Sequence, residues 1–66
     1  MQFTKREQDI VLAILEGCTN GAMAQRFGIK EQTVKNRLSA IFEKVGVSSR
    51  LELALAALKR RLVIQP

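Results

Sequence analysis

The sequence has no histidine, no tryptophan and no tyrosine, and it has one cysteine and one proline. Each shortage closes a class of function. A structural zinc finger needs a full set of Cys and His ligands, so zinc is excluded. Cys18 has no second cysteine to bond within the chain, which fits a reducing compartment, read here as the bacterial cytoplasm. It also has no histidine base to activate it, and neither has any serine. The acidic residues are scattered singly, so no catalytic residues are expected and no enzyme is indicated. A lone cysteine beside a turn reads as structural. No cofactor and no metal are implied. Three phenylalanines are the only aromatic residues, too few for the stacking platforms of a single-stranded nucleic-acid surface. No apolar run is long enough to span a membrane, and no signal peptide is visible at Met1. Internal repeats and low-complexity segments are absent.

What is present fits one small helical unit. Sixty-six residues make a single domain, and 47% hydrophobic residues suit a folded chain. The net charge of +5 points to an anionic partner, of which DNA is the commonest. That charge is unevenly placed. In residues 1–33, Lys5, Arg6, Arg26 and Lys30 are cancelled by Glu7, Asp9, Glu16 and Glu31. The excess lies in residues 34–66, where Lys35, Arg37, Lys44, Arg50, Lys59, Arg60 and Arg61 face only Glu43 and Glu52.

Four helices are legible. Thr4 and Glu7 form a capping box for the first, with Phe3 placed to staple onto Ile10 or Val11. Ile10, Val11, Ile14 and Leu15 supply its apolar stripe to about Glu16, and Gly17 ends it. Glu7, Asp9 and Glu16 are expected to be solvated or ion-paired. Thr19 or Asn20 caps a short second helix, with Met23 and Phe27 inward and Gln25 and Arg26 outward. Gly28 then turns the chain, and a third helix, about residues 31–45, carries Val34, Leu38, Ile41, Phe42 and Val45 at helical spacing. Gly46 closes it. Ser49 and Glu52 give a second capping box for the fourth helix. Along that helix Leu51, Leu55 and Leu58 form one side, and Leu53, Ala54, Ala56 and Ala57 widen the apolar surface. That surplus serves either the core against the first helix or a partner surface. Residues 62–66 read as a frayed tail. The expected fold is all-α: a compact four-helix domain containing a helix-turn-helix.

Residues 20–46 organise the rest. The third helix carries Gln32, Asn36, Ser39 and Glu43 opposite its apolar stripe, flanked by Lys35. Short amides and hydroxyls beside a lysine can reach base edges in a major groove. A short helix, a glycine turn and a second, exposed helix make the helix-turn-helix. The same pattern also occurs in helical bundles that bind no DNA. One position breaks the local rules. Lys30 stands where a Ser, Thr, Asp or Asn cap belongs, and it puts positive charge at the positive end of the helix dipole. A phosphate is one ligand that such a site attracts.

A family pattern runs through most of the chain. Phe3, Thr4, Lys5, Arg6, Glu7, Val11 and Leu12 follow a Leu-Thr-x-Arg-Glu opening and a Val-Leu pair. Gly17, Cys18, Thr19 and Asn20 follow Gly-x-Ser-Asn, and Met23 and Ala24 follow Ile-Ala. Residues Ile29 to Arg37 follow Ile-Ser-x-x-Thr-Val-Lys-x-His. Ile41 to Val47 follow Ile-x-x-Lys-Leu-Gly-Val, and Ser49, Arg50 and Glu52 follow Ser-Arg-x-Glu. Residues 3–57 thus resemble the LuxR-type (GerE-like) helix-turn-helix domain of bacterial transcription regulators. The resemblance implies sequence-specific binding of double-stranded DNA in regulation of transcription. It implies DNA contacts at Thr33, Lys35, Asn36 and Ser39, and a backbone-contacting Arg50. It also implies a homodimer through the fourth helix, where Leu53 and Ala57 lie four residues apart. A receiver or sensor domain usually precedes such a domain in a longer protein. The sequence departs from the pattern at Gly21 and Ala22, where a basic residue and a glutamate are usual, and at Lys30 and Arg37, which replace a serine and a histidine. Lys30 and Arg37 add positive charge beside the turn and join the expected contact set. Two rivals remain: a sigma-factor-like module, and a protein-interaction or dimerisation module with weak or non-specific DNA binding.

Overall fold

Four helices form where the caps and the periodicity place them. The computed structural model describes residues 3–60; the expected tail lies outside them. Helix α1 spans Lys5–Leu15, α2 Asn20–Phe27, α3 Glu31–Val45 and α4 Arg50–Arg60. α3 lies against all three other helices, and α4 also lies against α1. No described helix is long and apolar enough to cross a membrane.

The starts of α1 and α2 are closed by threonines. Thr4 Oγ1 accepts from the Glu7 amide at 3.2 Å while Glu7 Oε1 accepts from the Thr4 amide at 2.8 Å, the reciprocal capping box. Thr19 Oγ1 accepts from the Ala22 amide at 3.1 Å, which settles the cap of α2 on Thr19 rather than Asn20. At α4 the box is shifted by one residue. Ser49 Oγ accepts from the Glu52 amide at 3.1 Å, but Glu52 Oε1 accepts from the amide of Ser48 at 2.9 Å.

Three helices end alike. The amides of Cys18, Ile29 and Val47 each donate to a carbonyl five residues back, at 3.0 Å. This is the Schellman closure, and the residue that makes it brings an apolar side chain back onto the helix. Cys18, Ile29 and Val47 all pack, half-buried, against the core. The structure thus gives Cys18 a packing role. The closure needs a left-handed residue just before it, and Gly28 (φ 68°) and Gly46 (φ 85°) supply it where a side chain would be strained.

The core draws on every helix. Ile10, Val11, Ala13 and Ile14 of α1 meet Met23 and Ala24 of α2, Val34, Leu38, Ile41 and Val45 of α3, and Leu53, Ala56 and Ala57 of α4. Each of the larger of these side chains contributes roughly 1.5–3 kcal/mol by leaving water. Two expected core residues sit further out: Leu15 is at the surface, and Phe42 is half-buried. On α4 the surplus apolar surface serves the core. The buried side is Leu53, Ala56 and Ala57, whereas Leu51, Leu55 and Leu58 face outward. Small alanines let the two backbones approach, so α4 seats its alanine side on α1 and turns its leucines out.

The acidic residues of α1 and of its C-cap are all paired. Asp9 meets Lys5 at 3.3 Å and Glu16 meets Arg26 at 2.7 Å. Glu7 Oε1 accepts from Lys44 Nζ of α3 at 2.8 Å, and Lys44 also stands over the Phe3 ring. The Lys44 hydrogen bond, then that from the Thr4 amide, hold the Glu7 carboxyl below its ordinary range. A carboxyl lowered in the folded state binds fewer protons there than in the unfolded chain, so its contribution is present at neutral pH. It is lost as pH falls from the ordinary glutamate range through the lowered value. Urea unfolding at neutral pH and near pH 3 should show this loss, and Lys44→Met should reduce it. The same acid loss in wild type and variant would break the assignment.

Candidate nucleic-acid interface

α3 is held from behind and bare in front. Val34, Leu38, Ile41 and Val45 are buried, spaced four, three and four residues apart. At 3.6 residues per turn, Gln32, Asn36, Ser39 and Glu43 then share one row on the opposite side. Lys35 flanks that row on one side; Thr33 lies about 90° round the other side, and Arg37 about 130° round, next to the buried stripe. Gln32, Lys35, Asn36, Arg37, Ser39 and Glu43 are exposed, and Thr33 is half-buried. The row runs from amides through a hydroxyl to an acid. Its DNA-compatible chemistry therefore lies in the first turns, the part of a recognition helix that meets base edges. Within the row, Gln32 Nε2 donates to Asn36 Oδ1 at 3.1 Å.

Lys30 is the N-cap residue of α3, with extended backbone (φ −79°, ψ 152°) and no side-chain cap bond. The expected misfit is present. A serine there supplies the missing acceptor and removes a charge repelled by the helix dipole. Lys30→Ser should raise stability by about 0.5–2 kcal/mol in urea unfolding. The same substitution should weaken duplex binding and lower the salt slope by about one unit if Lys30 meets a phosphate. A fall in stability would move the cap elsewhere, and unchanged affinity would remove Lys30 from the contact set.

Arg50, an expected backbone contact, is also bonded within the fold. Its half-buried guanidinium donates to Cys18 O at 2.8 Å and to Asn20 Oδ1. It fastens the start of α4 to the α1–α2 turn and so fixes α2, on which α3 rests. Part of its donor fork is already committed inside the fold. Arg26 is likewise engaged, with Glu16. The other departures from the family pattern lie at the start of α2. A Cβ on Gly21 would stand 3.5 Å from Glu31 Oε2, an ordinary contact, so the basic residue usual there would sit beside that carboxylate.

Leu53 and Ala57, the expected pairing positions, are not at the surface. Leu53 is 0% and Ala57 5% exposed, both in the core. The apolar side that α4 presents outward is Leu51, Leu55 and Leu58, exposed by 69%, 51% and 67%. Their spacing of four and three marks one helix face as clearly as the buried set does. Among the described residues no cluster of His, Cys, Asp and Glu is arranged to hold a metal.

Two helices meeting at a left-handed glycine, the second backed by the core and bare in front, define a helix-turn-helix domain. The chain belongs to the luxR family of bacterial regulatory proteins, whose family model matches residues 1–57, and is a GerE-like DNA-binding domain of that family. It is 37% identical over 59 residues to the transcriptional regulatory protein YdfI of Bacillus subtilis, covering 89% of this chain and 28% of that protein. It is 39% identical over 54 residues to the nitrate/nitrite response regulator NarL of Escherichia coli, covering 82% of this chain and 25% of that protein. Among solved structures, the response regulator ChrA of a heme-sensing two-component system superimposes with a TM-score of 0.90 at 33% identity, over 96% of this chain and 31% of that one. The chain therefore spans about a third or less of the length of these relatives.

Proposed function

We propose that this domain binds double-stranded DNA sequence-specifically, with Glu31–Val45 in the major groove, and thereby regulates transcription. The observation that carries the reading is the exposed row of Gln32, Asn36 and Ser39, flanked by Lys35, on a helix whose opposite side is buried in the core. Asn36 reads a base edge, since an amide pairs two-pronged with adenine. Lys35 takes a phosphate or guanine O6 and N7. Thr33 and Ser39 hydroxyls, and the cations of Lys30, Arg37 and Arg50, position the helix on the backbone. The +5 charge supplies the long-range attraction.

The domain pairs through the outward face of α4, with Leu51, Leu55 and Leu58 as the contact, and two copies read half-sites related by two-fold symmetry. It is carried by a longer cytoplasmic protein, downstream of a receiver or sensor domain. Response regulators among the similar proteins support that arrangement. The leucine face of α4 also favours a second reading, a protein-interaction module with no role on DNA.

Titration of a duplex at several salt concentrations separates the two. The affinity should fall steeply, with log K dropping by about 0.9 per phosphate neutralised for each decade of salt. A flat response up to physiological ionic strength would leave the interaction module as the better reading.

A further inference from the structure

We propose that Gln32 is a specificity-determining positioning residue, which orients the Asn36 amide for a single base pair of the duplex. The inference rests on the assignment of α3 as the DNA-reading helix. Gln32 Nε2 donates to Asn36 Oδ1 at 3.1 Å, across one turn of α3, and both residues are exposed in the row opposite the core. A lone surface asparagine turns broadly about its terminal torsion, so its carbonyl and amino groups point in no fixed order. The bond from Gln32 sets that order. It occupies one lone pair of Oδ1 and leaves the second, together with both Nδ2 hydrogens. Those are the groups an adenine edge requires: an acceptor for the N6 amino group and a donor for N7. The amide is thereby arranged before the duplex arrives, and less freedom is lost on binding. Gln32 also keeps its own carbonyl and a second N–H, so the pair presents a continuous amide edge along the groove-facing row.

An amide pair one turn apart also steadies a helix, so stability alone does not report the positioning role. Base preference does. The full chain, with Gln32→Ala, Asn36→Ala and the double variant, is titrated against the duplex selected by the wild type. It is also titrated against duplexes changed at the one base pair whose preference Asn36→Ala abolishes. Gln32→Ala should reduce discrimination at that base pair by about three- to tenfold, and change affinity for random duplex by less than about twofold. In the Asn36→Ala background it should cause no further loss. Gln32→Lys, which keeps an N–H donor at the same place, should restore discrimination, while its extra charge raises affinity for every duplex alike. Circular dichroism checks that each variant remains helical. Full discrimination in Gln32→Ala, or an equal loss with and without Asn36, would overturn the proposal. A wild-type domain with no preference at any base pair would overturn the reading of α3 itself and the positioning role with it.

Discussion

Leu53→Ala is expected to lower the unfolding free energy by about 2–5 kcal/mol, the loss typical of a buried leucine cut to alanine. A domain of this size has roughly 3–10 kcal/mol in total, so the substitution removes much of its stability. The cause is position. Leu53 is fully buried beside Ala56 and Ala57, on the side of α4 that meets the rest of the core. Leu55→Lys is the comparison. Leu55 is half exposed on the other side of the same helix, and its replacement should change stability by no more than about 0.5 kcal/mol. It should instead weaken pairing, seen by sedimentation at rising concentration and on DNA. Stability unchanged in Leu53→Ala, with pairing lost, would reverse the two faces of α4.

The choice between those two faces is what the sequence leaves open. Four helices, the Thr4–Glu7 box, the caps of α2 and α3 and the glycine closures are all local features, settled by residues within a few positions of each other. The orientation of α4 is not local. Leu51, Leu55 and Leu58 form one helical stripe, and Leu53, Ala56 and Ala57 form another. Periodicity weighs both alike. The choice is made by how closely α1 must approach, which alanines permit. The partners of Arg50 within the fold are hidden for the same reason. Its acceptors, Cys18 O and Asn20 Oδ1, lie about thirty residues away in sequence, and one of them is a backbone carbonyl that no residue type announces. Exposure of the α3 row was legible because the buried stripe fixes it. The bond from Gln32 to Asn36 had a signal, an amide pair four residues apart, that sequence reading placed on the polar face and took no further.

Asn36→Ala should cost about 1–3 kcal/mol against the preferred duplex, roughly a five- to 150-fold loss of affinity. Against scrambled duplex the change should be small. An asparagine that reads adenine contributes only when adenine is in place, and its removal leaves the phosphate contacts intact. Lys35→Ala should behave differently. If its main contact is phosphate, both duplexes lose affinity together, and the salt slope falls by about one unit. The two substitutions lie on adjacent residues of one helix, exposed and clear of the core, so the folded state of the domain is common to both. Titration of each variant against both duplexes decides. Equal losses on the two duplexes for Asn36→Ala would remove its assignment as a base reader.

Whether α3 reads DNA is tested most directly by selecting bound sequences from a random duplex pool, with wild type and Asn36→Ala run side by side. The wild type should enrich a defined site containing an adenine whose preference disappears in the variant. Pairing through α4 should appear as two copies of that site related by two-fold symmetry. A pool that remains random after selection, at a salt concentration where the domain still binds duplex, would contradict sequence-specific recognition by α3.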